Sequence, residues 1–67
     1  MGIIEILEDA IESEKRQREK YLKLAREAAD PETRAILEQL SRDEKGHEAI
    51  LKERLAAVKL MKDLGSV

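Results

Sequence analysis

Glu44 and His47 stand three residues apart, a spacing that places a carboxylate and an imidazole on one face of a helix. A third group, Glu14, lies 16 residues before Asp30, and Glu44 lies 14 after it. If the chain folds back at Asp30-Pro31, a rise of about 1.5 Å per residue carries these groups roughly 24 and 21 Å from the bend. The two carboxylates and the imidazole then meet at nearly one height. Oxygen and nitrogen donors without thiolate suit iron, manganese or zinc. Three of them make half of a carboxylate–histidine dimetal centre, and a second copy of the chain would complete it. Alone, Glu-x-x-His is weak: 11 of the 67 residues are glutamate. Chance puts one three places before the only histidine about once in six. The second carboxylate at matching height sharpens the signal.

Two helices must do the positioning. In the first, from about residue 3 to 29, apolar positions step by three and four through Ile4, Leu7, Ile11, Tyr21, Ala25 and Ala28. The same stepping puts Glu14 and Arg18 on that stripe. Asp30 then reads as an N-cap with Pro31 at the first helical position, where its missing N–H costs little. Glu32 favours that helix start electrostatically. The second helix, from about 31 to 63, carries the stripe Leu37, Leu40, Glu44, His47, Leu51, Val58 and Met61, with Arg54 interrupting it. Gly65 suits the position just past its end. Both stripes are apolar at the ends and polar in the middle, at one height.

Size limits what such a chain can do alone. Sixty-seven residues make one domain, 1–67, with Ile, Leu, Ala, Val and Met as its apolar supply and Tyr21 as its sole aromatic. Helices of roughly 27 and 33 residues are about 40 and 50 Å long, and a hairpin of two leaves an apolar stripe uncovered. The expected fold is therefore all-α: an antiparallel two-helix hairpin that dimerises into a four-helix bundle. Without cysteine, disulfides, thiolate metal sites and iron–sulfur clusters are excluded, leaving metal and a second copy as stabilisers.

Charged residues are 42% of the chain, yet the net charge is −2 with both signs interspersed, as on a solvated helix surface. Pairs such as Glu19–Lys23 and Glu48–Lys52 stand at i,i+4. The cations Lys15, Arg16 and Arg18 are flanked by acids, so no nucleic-acid partner is expected. Apolar runs are too short for a membrane span. Acidic residues begin at Glu5, which is unlike a signal peptide and gives a cytoplasmic expectation.

Glu14, Tyr21 seven residues on, Ala25 four beyond that, and the later Asp43-Glu44-Lys45-Gly46-His47 resemble the rubrerythrin-type branch of the ferritin-like superfamily. The separation of Glu14 from Glu44 is also similar to that in encapsulated ferritins, whose short hairpin chains dimerise to complete a di-iron ferroxidase site. The resemblance runs from Glu14 to about Leu51 and lies in spacing more than in identity. It implies a ferritin-like bundle with two iron ions per dimer, manganese or zinc being alternatives. It further implies Glu14 as a terminal carboxylate, Glu44 as a bridging one and His47 as a terminal nitrogen ligand. The implied activity is oxidation of Fe(II) by oxygen or peroxide, for iron handling or oxidative-stress defence, as a ferroxidase or a rubrerythrin-like peroxidase. Two departures stand out. Gln17 occupies the place, one turn after Glu14, where half of a rubrerythrin site has another Glu. No cysteine exists for the rubredoxin segment that feeds electrons to rubrerythrins, so peroxidase turnover requires a separate electron donor. Enclosure within a protein shell stays open beside the cytoplasmic expectation.

The neighbours of these groups have plainer roles. Tyr21 shares the Glu14 face two turns along, where it can hydrogen-bond a ligating carboxylate, relay an electron, or simply fill the core. Gln17, Arg18, Asp43 and Glu48 read mainly as solvated surface. Gly46 is costly mid-helix, at about 1 kcal/mol relative to alanine. The competing account pairs Glu14 with Arg18 one turn on and leaves His47 as a polar seam residue fixing register. Its functional counterpart is a non-enzymatic, metal-stabilised helical dimer or interaction module. There, changing His47 would reduce folding stability with no oxidase activity to lose.

Overall fold

The computed structural model describes residues 1–65 and consists of two helices, α1 (Ile3–Glu27) and α2 (Pro31–Asp63), folded into an antiparallel hairpin. α1 ends two residues earlier than the periodicity suggests. The cause is local: Pro31 disfavours helical geometry in the residue before it, and Asp30 is extended at φ −109°, ψ 149°. Ala28 is already extended, its N–H reaching back to the Ala25 carbonyl at 3.3 Å. Asp30 caps α2, one carboxylate oxygen accepting from the Thr33 N–H at 2.8 Å. That backbone bond, with help from the Thr33 hydroxyl, holds the Asp30 carboxyl below the usual carboxylate range. Arg34 closes the bend by donating to the Ala28 carbonyl at 3.2 Å. At the far end Gly65 adopts φ +71°, the left-handed conformation expected just past a helix. Ser66 and Val67 lie outside the described residues.

α1 presents the stripe read from its sequence: Ile4, Leu7, Ile11, Glu14, Arg18, Tyr21, Ala25 and Ala28 are all at least partly covered. α2 differs. Its covered residues are Leu37, Ser41, Glu44, Glu48, Leu51, Leu55 and Val58. Leu40, His47, Arg54 and Met61, expected on the seam, are exposed, and Ser41, Glu48 and Leu55 take the places beside α1. One residue is about 100° around a helix, so those expected positions lie on a flank of the hairpin instead of between its helices.

That flank is the structural key. Helical spacing puts Ile3 and Leu24 of α1 on the same side as Ile36, Leu40 and Met61 of α2, and all five are exposed. The opposite flank carries Glu8, Glu12, Lys15 and Arg26 from α1, and Arg34, Glu38, Lys45, Lys52 and Lys59 from α2. The first flank is mainly apolar, with Gln17, His47 and Arg54 among its exposed residues, and the second is mainly charged, with Leu22 as an exposed apolar residue. The hairpin measures 53 × 18 × 10 Å, a single layer of helices. Among the described residues, Ile11 and Ala25 are the only buried apolar side chains, and no large side chain is sealed from water. A single layer cannot hide an apolar flank by itself. Among the described residues, no helix is long and apolar enough to cross a membrane.

Candidate metal centre

Glu14 projects from the middle of α1, and Glu44 and His47 from the middle of α2. The fold brings the three together: each offers one donor atom, and these atoms lie within 4.8 Å of one another. His47 Nδ1 is 3.5 Å from Glu14 Oε2 and 3.7 Å from Glu44 Oε2. Both separations exceed a good N–H···O bond. The spacing suits three donors converging on a common point better than three groups bonding to each other. Glu14 and Glu44 are three-quarters or more covered, while the His47 side chain is 58% exposed. The site thus opens onto the apolar flank, with its imidazole at the rim.

One atom decides how these groups should be understood. Glu14 Oε2 is buried and, among the described residues, has no hydrogen-bond partner. An orphaned carboxylate oxygen inside a protein costs free energy until something neutralises it. Arg18, one turn along, could have done so, but its guanidinium donates to Glu48 on the other helix. Glu48 in turn receives the Lys52 ammonium at 2.7 Å. The bond from Lys52, followed by the charge of Arg18, holds the Glu48 carboxyl below the usual carboxylate range despite its burial. The alternative in which Arg18 satisfies Glu14 is therefore not the arrangement adopted. Two carboxylates and an imidazole remain, oxygen and nitrogen donors suited to a divalent first-row ion, and a cation is what the orphaned oxygen needs.

The surroundings separate into those that join the site and those that do not. Tyr21 is half-buried on the Glu14 face, and its hydroxyl makes no hydrogen bond among the described residues. Gln17 is exposed on the flank side of Glu14. Asp43 is exposed and accepts from Gln39 at 2.9 Å, a surface role. Glu48 is misplaced by sequence reasoning, as are its partner Arg18, read mainly as solvated, and His47, read as a seam residue. Glu48 is 6% exposed and sits against α1, where solvated charge was expected. Its partner Arg18 is on the α1 stripe, which was the available signal that a counter-charge had to face it. Gly46 points into open space, with nothing within 4 Å of where a Cβ would sit. A shallow groove between Leu22, Ala25, Arg26, Arg34 and Glu38 lies on the charged flank, two to three turns toward the bend. It has no converging set of metal donors.

No match to the chain was found among curated proteins or among solved structures. A family comparison is positive: the sequence profile of the rubrerythrin family matches residues 5–67, nearly the whole chain and a span that includes the three clustered donors. Fold, donor set and profile agree, and the chain belongs to the rubrerythrin family.

Proposed function

We propose that two copies of this hairpin close apolar flank on apolar flank, forming a four-helix bundle that holds two iron ions between them. Each copy contributes Glu14, Glu44 and His47, so four carboxylates and two imidazoles surround the pair. Glu44 would hold both ions, and Glu14 and His47 would each add a further donor, as the family resemblance implies. The observation that carries this reading is the partnerless Glu14 oxygen, which faces Glu44 and His47 at the edge of an uncovered apolar surface. Helix geometry supports it as well. The donors sit near the midpoint of each helix. A two-fold axis through that height gives the longest overlap between copies and brings both sets of donors together.

The activity is oxidation of Fe(II) by oxygen or peroxide, in iron handling or oxidative-stress defence. When bound, the metals supply one electron from each ferrous ion to a peroxide, which takes two protons and leaves as two waters. The chain's own part is electrostatic and spatial. The carboxylates offset the charge of two divalent ions, and the imidazoles add neutral donors that leave the pair reactive. The closed flank keeps bulk water from the site, and Tyr21 lines the approach along α1. Return of the centre to its reduced form needs an electron donor outside residues 1–67, which contain no cysteine.

Elemental analysis combined with native mass measurement tests the proposal. We expect about two metal ions per dimer, with uptake of oxygen or peroxide on adding Fe(II). A protein that remains a helical monomer and retains no metal would end it. Stoichiometric metal without any Fe(II) oxidation would leave a structural, zinc-type dimer in its place.

A further inference from the structure

Glu48 is the buried acid the proposed chemistry leaves unused. It follows His47 directly and lies one turn after Glu44, and its side chain is only 8% exposed. Both its oxygens are engaged, one by Arg18 across the hairpin and the other by Lys52 on its own helix. Arg18 is the more telling partner. It lies four residues after Glu14, the spacing and order at which a glutamate and a following cation attract each other on a helix. Its guanidinium is therefore within reach of two acids. It takes Glu48 and leaves Glu14 Oε2 bare.

We infer that Glu48 acts as a positioning residue that draws Arg18 away from Glu14, keeping the metal-binding carboxylate clear of a competing cation. The inference rests on the metal-centre reading above, but it concerns the second layer and not the donors. Three features favour diversion of a cation over simple register-fixing. Lys52 already partners Glu48, so the second cation is not required to neutralise that acid. An arginine on the α1 stripe is fixed, always charged, and long enough to reach the site if released. The unbonded oxygen is what results when the arginine one turn along is held elsewhere.

The test uses the full chain and Co(II) as probe, following its visible absorption to obtain affinity while circular dichroism reports helix content. Wild-type binding tests the metal centre itself. Its absence would sink the centre and this inference together. Given wild-type binding, Glu48→Gln should lower Co(II) affinity by about tenfold or more, in the range typical of groups supporting a metal site. Adding Arg18→Gln to that variant should bring affinity back to near the wild-type value. Adding Lys52→Gln instead removes the same charge from a residue that cannot reach Glu14, and should not rescue. Arg18→Gln alone should bind at least as well as wild type, which keeps the idea testable even if Glu48→Gln fails to fold. Three results would overturn it: unchanged affinity in Glu48→Gln, equal rescue by Lys52→Gln, or loss of affinity and helicity in Arg18→Gln. The second would indicate net charge alone, and the third a latch for helix register.

Discussion

Glu44 and Glu48 sit one turn apart on α2 and both face α1, yet the fold treats them in opposite ways. Glu48 is closed off by two of the chain's own cations, Arg18 and Lys52. Glu44 shares its space with another acid and an imidazole, and no lysine or arginine is paired with it among the described residues. A covered carboxylate must be neutralised by something. Where the sequence provides the cation, the cluster is finished and serves the architecture. Where it withholds one, no lysine or arginine closes the cluster, and on the proposed reading a bound metal ion supplies the charge.

The largest way to break this contrast is to remove an unfinished acid. Glu44→Ala should cost roughly 100-fold or more in metal affinity, beyond the usual effect of a supporting residue. Glu48→Ala should cost less, and the two measured side by side by metal titration rank the clusters. Equal losses would show that the distinction is false. Next comes the surface that the unfinished cluster opens onto. Leu40→Glu places a charge on the apolar flank one turn before Glu44 and should reduce self-association by at least about tenfold, the effect of one unfavourable buried group. Sedimentation velocity reads it directly, and an undisturbed dimer would move the interface elsewhere.

Two smaller changes touch neither cluster and sharpen the comparison as controls. Gly46→Ala puts a methyl into open space on a helix interior and should stabilise the fold by about 1 kcal/mol, with metal content unchanged. For a chain this size that is a rise of about 4–8 °C in Tm. A fall in Tm would mean another copy packs closely at Gly46. Asp30→Asn should have the least effect. The Asp30 carboxyl titrates lower in the folded chain than in the unfolded one, because the Thr33 N–H binds its charged form. Its contribution is complete above the ordinary carboxylate range and disappears as pH falls through the folded value. Asn keeps an acceptor without that titration, so acid unfolding curves of the variant should flatten by a few degrees between neutral and acidic pH.

Much of this was legible from residue spacing, and the exceptions have one cause. The bend, the cap at Asp30, the inward face of α1 and the meeting of Glu14 with Glu44 and His47 all follow from local chemistry and helical rise. The inward face of α2 did not, because that helix carries apolar residues on two surfaces, one against α1 and one on the open flank. Leu40, His47 and Met61 track the open flank, whereas Ser41, Glu48 and Leu55 face α1. Apolar periodicity reports every neighbour a helix has, including any from another copy, and so it drew the seam one residue away from the contact made within the chain. The destination of Arg18 was hidden for a related reason. Its near acid is visible at i,i+4, but its chosen acid is 30 residues away and appears only when the helices are set side by side.

That no large side chain among the described residues is sealed from water has a last consequence for how such a protein would be kept. In a paired assembly, each tenfold increase in the number of chains per volume adds about 1.4 kcal/mol to the dimer's resistance to unfolding. Supply of the bound ion adds about 2.7 kcal/mol at a hundredfold excess over its Kd. Dilution and chelation should then act as interchangeable denaturants, each made harmless by enough of the other's remedy. Persistence of the native hairpin would depend on abundance, of both polypeptide and iron.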